Sequence, residues 1–207
     1  MEENQRPRHV QAGFLSKENL PKLIAIAAAV VVVAVLLIAL LAGSGPKAVA
    51  KKYVMNSLAG NVDASRKLLA YDSKEYLFDY YGDEEDFYEK MGDRYDEDIE
   101  SWKDYCKAVA AYYKENYEDE YGKYKITAEV TKVKDLSEKK LKEAVGDGLF
   151  ERYEDFGLDE DKISKGAEVT VKARIDGEDD DAKFVYTVYL GKIGGSWKVL
   201  KYTREAK

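Results

Sequence analysis

One stretch limits what this chain can become. Residues Leu23 to Ala42 read LIAIAAAVVVVAVLLIALLA, with no charge and no proline. A helix of about 20 such residues rises ~1.5 Å per residue and matches the ~30 Å hydrocarbon core of a bilayer. Backbone N–H and C=O groups find no water there, so a single segment has to satisfy them internally as a helix. A buried helix of a soluble protein normally keeps a polar stripe, and this run has none. The expectation is a membrane anchor at 23–42, preceded by a head at 1–22 and followed by a short joint at 43–46 and a body at 47–207.

The flanks give the anchor a direction. The head is polar, broken by Pro7, Gly13 and Pro21, and expected to be disordered. Its Arg6, Arg8, Lys17 and Lys22 outnumber Lys47, Lys51 and Lys52 beyond the run, which places the head in the cytoplasm and the body outside. The run exceeds the 7–15 residues of a signal-peptide core, so the reading is an uncleaved signal anchor in the cell membrane. Leu41-Ala42-Gly43-Ser44 resembles a lipoprotein cleavage box, but Ser44 occupies the place of the required cysteine, so lipidation there is excluded.

Charge and composition remove whole classes of function. The chain has 207 residues with 33 basic and 40 acidic side chains. The first 43 residues hold four basic and three acidic ones, so the body carries 29 against 37, a net −8. Such a body repels nucleic acid, which is not expected as a partner. The only histidine is His9 and the only cysteine Cys106. The body therefore has neither an intrachain disulfide nor a His-dependent nucleophile triad, nor a zinc site built on imidazole and thiolate. Gly191-Lys192-Ile193-Gly194-Gly195 reads as a hairpin turn, and no phosphate loop or dinucleotide fingerprint is present.

Periodicity divides the body into a helical half and a β half. Pro46 opens a helix to Leu58 with Ala48, Val49, Tyr53, Met55 and Leu58 on its apolar face, stopped by Gly60. Asp63 is expected to cap a short helix through Leu69. Asp72 with Glu75 forms a capping box for a helix ending at Gly82. The acidic segment Gly82–Glu100 reads as a surface loop or a strongly charged helix. Trp102, Tyr105, Cys106, Val109, Ala110 and Tyr113 recur at helical spacing, which predicts a helix over Glu97–Tyr117.

From Lys125 to Val133 the period becomes two. Val133 falls out of phase with Ile126, Ala128 and Val130, so a bulge is expected near Thr131. Ser137 should cap a helix bearing Leu141, Ala144, Val145, Leu149 and Tyr153, with Gly146 and Gly148 weakening its second half. Ala167 to Asp176 alternates cleanly and reads as a half-buried strand. Lys183–Lys192 reads as a central strand and Trp197–Tyr202 as the last. These three form a meander, with Lys125–Val133 pairing at its side.

Carboxylates and tyrosines are what remains for chemistry. Asp83–Asp86, Asp159–Asp161 and Glu178–Asp181 lack the spacing of a calcium loop and read as solvated turns. No pair among the body's acids stands out as a general acid and base. Cys106 sits on the apolar face of its helix and reads as an inert thiol. The 17 tyrosines, among them Tyr80-Tyr81 and Tyr112-Tyr113, supply either packing or the wall of a ligand groove. The sequence thus points to no catalytic residue, no metal and no cofactor.

Element order and the closing Gly195-Ser196-Trp197-Lys198-Val199 resemble the nuclear transport factor 2-like superfamily, in particular membrane-anchored extracytoplasmic members from Gram-positive bacteria. The resemblance spans about Pro46–Tyr202. It implies an α+β fold class: one transmembrane helix followed by a cone-like domain of N-terminal helices packed on a curved antiparallel sheet of about four strands. It also implies that the tryptophan packs between sheet and helices. The expected function is a non-catalytic binding or assembly module of the cell envelope. Its partners would be the membrane and an envelope protein, a wall component or a small ligand. The alternative is an isomerase or dehydratase working with a carboxylate and a tyrosine inside the cone.

Overall fold

In the computed structural model, residues 45–146 and 148–206 are described. The head and the apolar run at 23–42 therefore lie outside the described residues. The chain divides after Ala42, with Gly43–Lys207 as one compact unit. That unit is α+β: five helices, a strand, two more helices and a short 3-10 turn, then three strands. The fold class expected from sequence is corrected in one respect. Among the described residues no helix is long and apolar enough to cross a membrane. The longest of them, Trp102–Tyr121, has 20 residues but carries eight charges, from Lys103 to Glu120.

Helix α1 (Pro46–Leu58) starts on Pro46 and buries Ala50, Tyr53, Val54 and Leu58. This stripe is rotated from the expected face: Ala50 and Val54 point inward, and Met55 does not. Its end is a Schellman motif, in which Asn61 N–H donates to Asn56 O (2.8 Å) and Gly60 N–H to Ser57 O (3.3 Å). Gly60 takes φ +66°, and a Cβ there would lie 3.0 Å from Tyr113, so glycine is needed both for the turn and for close approach.

Helix α2 (Val62–Arg66) is capped by Asn61 rather than by Asp63, and it ends before Leu69. Asp63 is instead occupied by Arg66 and Lys67. Asp72 caps α3 (Ser73–Tyr81) as expected, accepting from Lys74 N–H and Glu75 N–H. The acidic segment folds as α4 (Glu84–Tyr95), with Asp83 accepting from Asp86 N–H at its start. It is not a solvated loop: Phe87, Tyr88 and Met91 are buried and join Phe78, Ile99 and Ala108 in an aromatic-rich layer. Ser101 caps α5 (Trp102–Tyr121), which begins five residues later than the periodicity implied.

The four strands are β1 (Lys125–Leu136), β2 (Ile163–Asp176), β3 (Asp181–Ile193) and β4 (Ser196–Ala206), all antiparallel in the order β1-β2-β3-β4. The β1–β2 register shifts between Val130 and Lys132, so Thr131 is the extra residue and Val133 returns to the inner face opposite Val169. Inner-face Ala167, Val169, Val171, Ala173, Tyr186, Val188, Leu190 and Val199 pack with α1 into the main core, with Phe184 and Trp197 against it. Between β1 and β2, α6 (Glu138–Val145) is capped by Ser137 and ends at Gly146. A separate α7 (Gly148–Tyr153) follows, so the expected single helix is broken at the glycines. These two helices pack with Leu136, Leu158, Ile163 and Leu200 into a second cluster.

Candidate functional site

The site begins with a second bulge, in the last strand. Tyr189 pairs with Lys201 and Leu190 with Val199, which leaves Leu200 unpaired in the register. A bulge lets consecutive residues escape strict alternation. Val199 enters the main core while Leu200 enters the second cluster. Lys201 then reaches α6, and Tyr202 returns to the α1 side with its ring 5.2 Å from that of Tyr53.

The same point on β4 receives the α2–α3 connection. Val199 N–H donates to Leu68 O (2.8 Å), and Ala70 N–H donates to Val199 O (2.9 Å). This short parallel bridge fixes Leu69 and therefore Tyr71. Asp72 N–H donates to Phe156 O (2.8 Å), which ties the connection to the chain after α7. Tyr71 consequently stacks on Tyr153, with centroids 3.8 Å apart and planes 13° from parallel.

These constraints enclose a pocket of about 430 Å³ at the β4 edge. Tyr53, Tyr71, Tyr153 and Tyr202 line it, together with the cations Arg152 and Lys201 and the apolar Leu69, Val145 and Leu149. None of its described lining residues is a carboxylate. Asp147, between the lining glycines Gly146 and Gly148, lies outside the described residues.

Electrostatics keep the phenols neutral and leave the cations usable. Burial raises the Tyr53 phenol far above its ordinary range, with neighbouring Tyr202 acting in the same direction. Burial and neighbouring Tyr153 do the same to Tyr71. Both therefore remain hydroxyl donors across the working pH range. Lys201 Nζ donates to Val145 O (3.0 Å) and Ala144 O (3.5 Å), the last carbonyls of α6. It thus caps a helix C-terminus from a distant strand, where positive charge is favoured. Arg152 is exposed and makes no ion pair with a described residue.

Two other hollows differ in chemistry. A hollow of about 480 Å³ over the sheet is lined by Thr127, Lys172, Arg174, Lys183 and Val185. Its Arg174 is already committed to Asp176 and Asp181. A shallower one, bounded by Glu84, Glu85, Glu89 and Glu100, is uniformly acidic apart from Tyr88 and Ile99.

The residues singled out in the sequence go mostly to structural roles. Asp83 and Asp159 are caps, Asp159 also pairs with Lys162, and Asp181 pairs with Arg174. Among the described residues no group of three His, Cys, Asp or Glu could hold a metal ion. Cys106 is half-buried, and burial pushes its thiol upward, away from the reactive thiolate. Of the two tyrosine pairs, Tyr80 lies 6.2 Å from Tyr76, ring to ring, while Tyr112 and Tyr113 pack along α5. The sequence does not single out the pocket residues Tyr71, Arg152 and Lys201, and it offers Tyr153 only as a helix residue. The available signal was Val199-Leu200, two adjacent apolar residues in an alternating strand. No known protein family, curated protein or solved structure matches the chain.

Proposed function

We propose that this chain is a non-catalytic binding module of the cell envelope. The apolar sequence at 23–42 holds it at the membrane, and the α+β domain faces outward. The resemblance of Gly195–Val199 and of the element order to nuclear transport factor 2-like proteins supports a binding role. The observation that carries the reading is the pocket at the β4 edge. It brings aromatic side chains, neutral hydroxyl groups and two cations together at one place. Pockets of this size with a few convergent polar groups are the usual form of a small-ligand site.

The test is site-specific photocrosslinking with the full chain in cells. A photoreactive residue at position 202 should capture an envelope component, and one at Lys172 over the opposite hollow should not. Equal labelling at the two positions, or capture at 172 alone, overturns the proposed site. Protease added to spheroplasts should degrade the domain, and full protection would overturn the outward orientation.

A further inference from the structure

The tyrosines do not stop at the pocket rim. From Tyr71 the ring of Tyr153 follows at 3.8 Å, then Tyr76 at 4.9 Å from Tyr153, then Tyr80 at 6.2 Å from Tyr76. Phe156 flanks the row 5.4 Å from Tyr76. Tyr80, at the outer end, is 68% exposed. The row runs from the exposed ring of Tyr80 to the pocket that Arg152 and Lys201 line.

The shape selects the ligand. A compact aromatic acid would fill the pocket and leave Tyr76 and Tyr80 without a role. A ligand of successive rings, each with an apolar C–H face and a hydroxyl edge, would use Tyr76 and Tyr80 as well, because tyrosine offers both an apolar face and a polar tip. That description fits an oligosaccharide. The cations add a requirement for negative charge. Arg152 and Lys201 both line the pocket, and Arg152 is the chain neighbour of Tyr153. Guanidinium and ammonium groups select carboxylate or phosphate oxygens through charge-assisted hydrogen bonds.

We infer that the pocket and the tyrosines beside it bind an acidic oligosaccharide, with sugar rings on Tyr80 and Tyr76 and the acidic substituent at Arg152 and Lys201. The inference rests on the binding-module reading and names its ligand class. An acidic substituent has two sources, a carboxylated sugar or a phosphorylated one, and both engage the same cations.

Isothermal titration of the full chain tests it. The probes are the N-acetylglucosaminyl-N-acetylmuramic acid disaccharide and its tetrasaccharide, phosphorylated saccharides of the same two lengths, and neutral N-acetylglucosamine oligomers as reference. One acidic series should bind about tenfold tighter than the neutral one of equal length. The series that does so identifies the source. Lengthening from two to four rings should tighten binding about fivefold. Tyr80→Ala should abolish that gain. Arg152→Gln should abolish the preference for acidic over neutral saccharides. Both residues are exposed, so both variants keep the fold.

Equal affinity for acidic and neutral chains, no gain with length, or a gain that survives Tyr80→Ala overturns the inference. If no saccharide binds while position 202 still crosslinks an envelope component, the ligand class is wrong and the binding-module reading stands. If position 202 also captures nothing, both fail.

Discussion

The sheet core and the pocket wall meet at β4 and are built in opposite ways. The core is aliphatic and closed: Val169, Val171, Val188, Leu190 and Val199 are all fully buried. The pocket wall is aromatic and graded, from Tyr53 at 5% exposure to Tyr202 at 47%. Aliphatic side chains have no polar group to satisfy, so they can interlock to crystal-like density. Tyrosine has to keep its hydroxyl within reach of a partner or water, so it suits a surface that stays partly open. The bulge at Leu200 joins the two regions, sending adjacent residues to different clusters. The difference separates what holds the domain together from what remains available for contact.

Mutation should separate the two regions in the same way. The largest effect is expected from Leu190→Ala, a fully buried core position. It should cost about 2–5 kcal/mol in denaturant unfolding. Ligand affinity should be unchanged under conditions where the variant remains folded. Gly177→Ala should follow at about 1–3 kcal/mol, because a Cβ there would lie 2.3 Å from Tyr121 O and 2.5 Å from Asp180 O. That clash would push the β2–β3 turn off the end of α5, where Asp179 N–H donates to Tyr121 O at 3.1 Å.

On the pocket side, Tyr153→Leu keeps apolar volume but loses the stack on Tyr71, costing about 0.5–1.5 kcal/mol. Its effect on binding should exceed its effect on stability, and the opposite ranking would erase the distinction between the regions.

The smallest change near neutrality comes from the tyrosine hydroxyls. Burial, aided by Glu84 and Glu120 respectively, pushes Tyr88 and Tyr121 up to about 12. Each binds its proton more tightly when folded than when unfolded, where its ordinary value is 10.0. Their contribution is therefore complete below pH ~10 and is lost as pH rises through about 12. Urea midpoints should be insensitive to these groups at neutral pH and fall above pH ~10. A midpoint that rises there contradicts the assignment.

Legibility in the sequence followed the range of the interactions. The β2 alternation and the bulge at Thr131 were readable because side-chain parity is local and Val133 breaks it. Asp72 and Ser137 were readable as caps because a cap bonds N–H groups two or three residues away. Helix α4 was obscured because Phe87, Tyr88 and Met91 are embedded among acids, and its apolar stripe is narrow. Asp63 was misread because Asn61, two residues earlier, offered an equally good cap. The pocket was out of reach for a different reason. Tyr53, Tyr71, Tyr153 and Tyr202 come from three elements and a connection, and the β4 bulge, the Leu69–Val199 bridge and the Asp72–Phe156 hydrogen bond bring them together.

The most direct test of the division between core and site is hydrogen–deuterium exchange on the full chain, with and without an acidic tetrasaccharide. Added protection is expected at Leu68–Asp72, at Gly148–Tyr153 and at Val199–Thr203, with no change along β1, β2 or α4. Protection centred instead on the Thr127–Lys172–Lys183 hollow or the acidic α4 surface would contradict the assignment of the tyrosine pocket as the place where this domain binds.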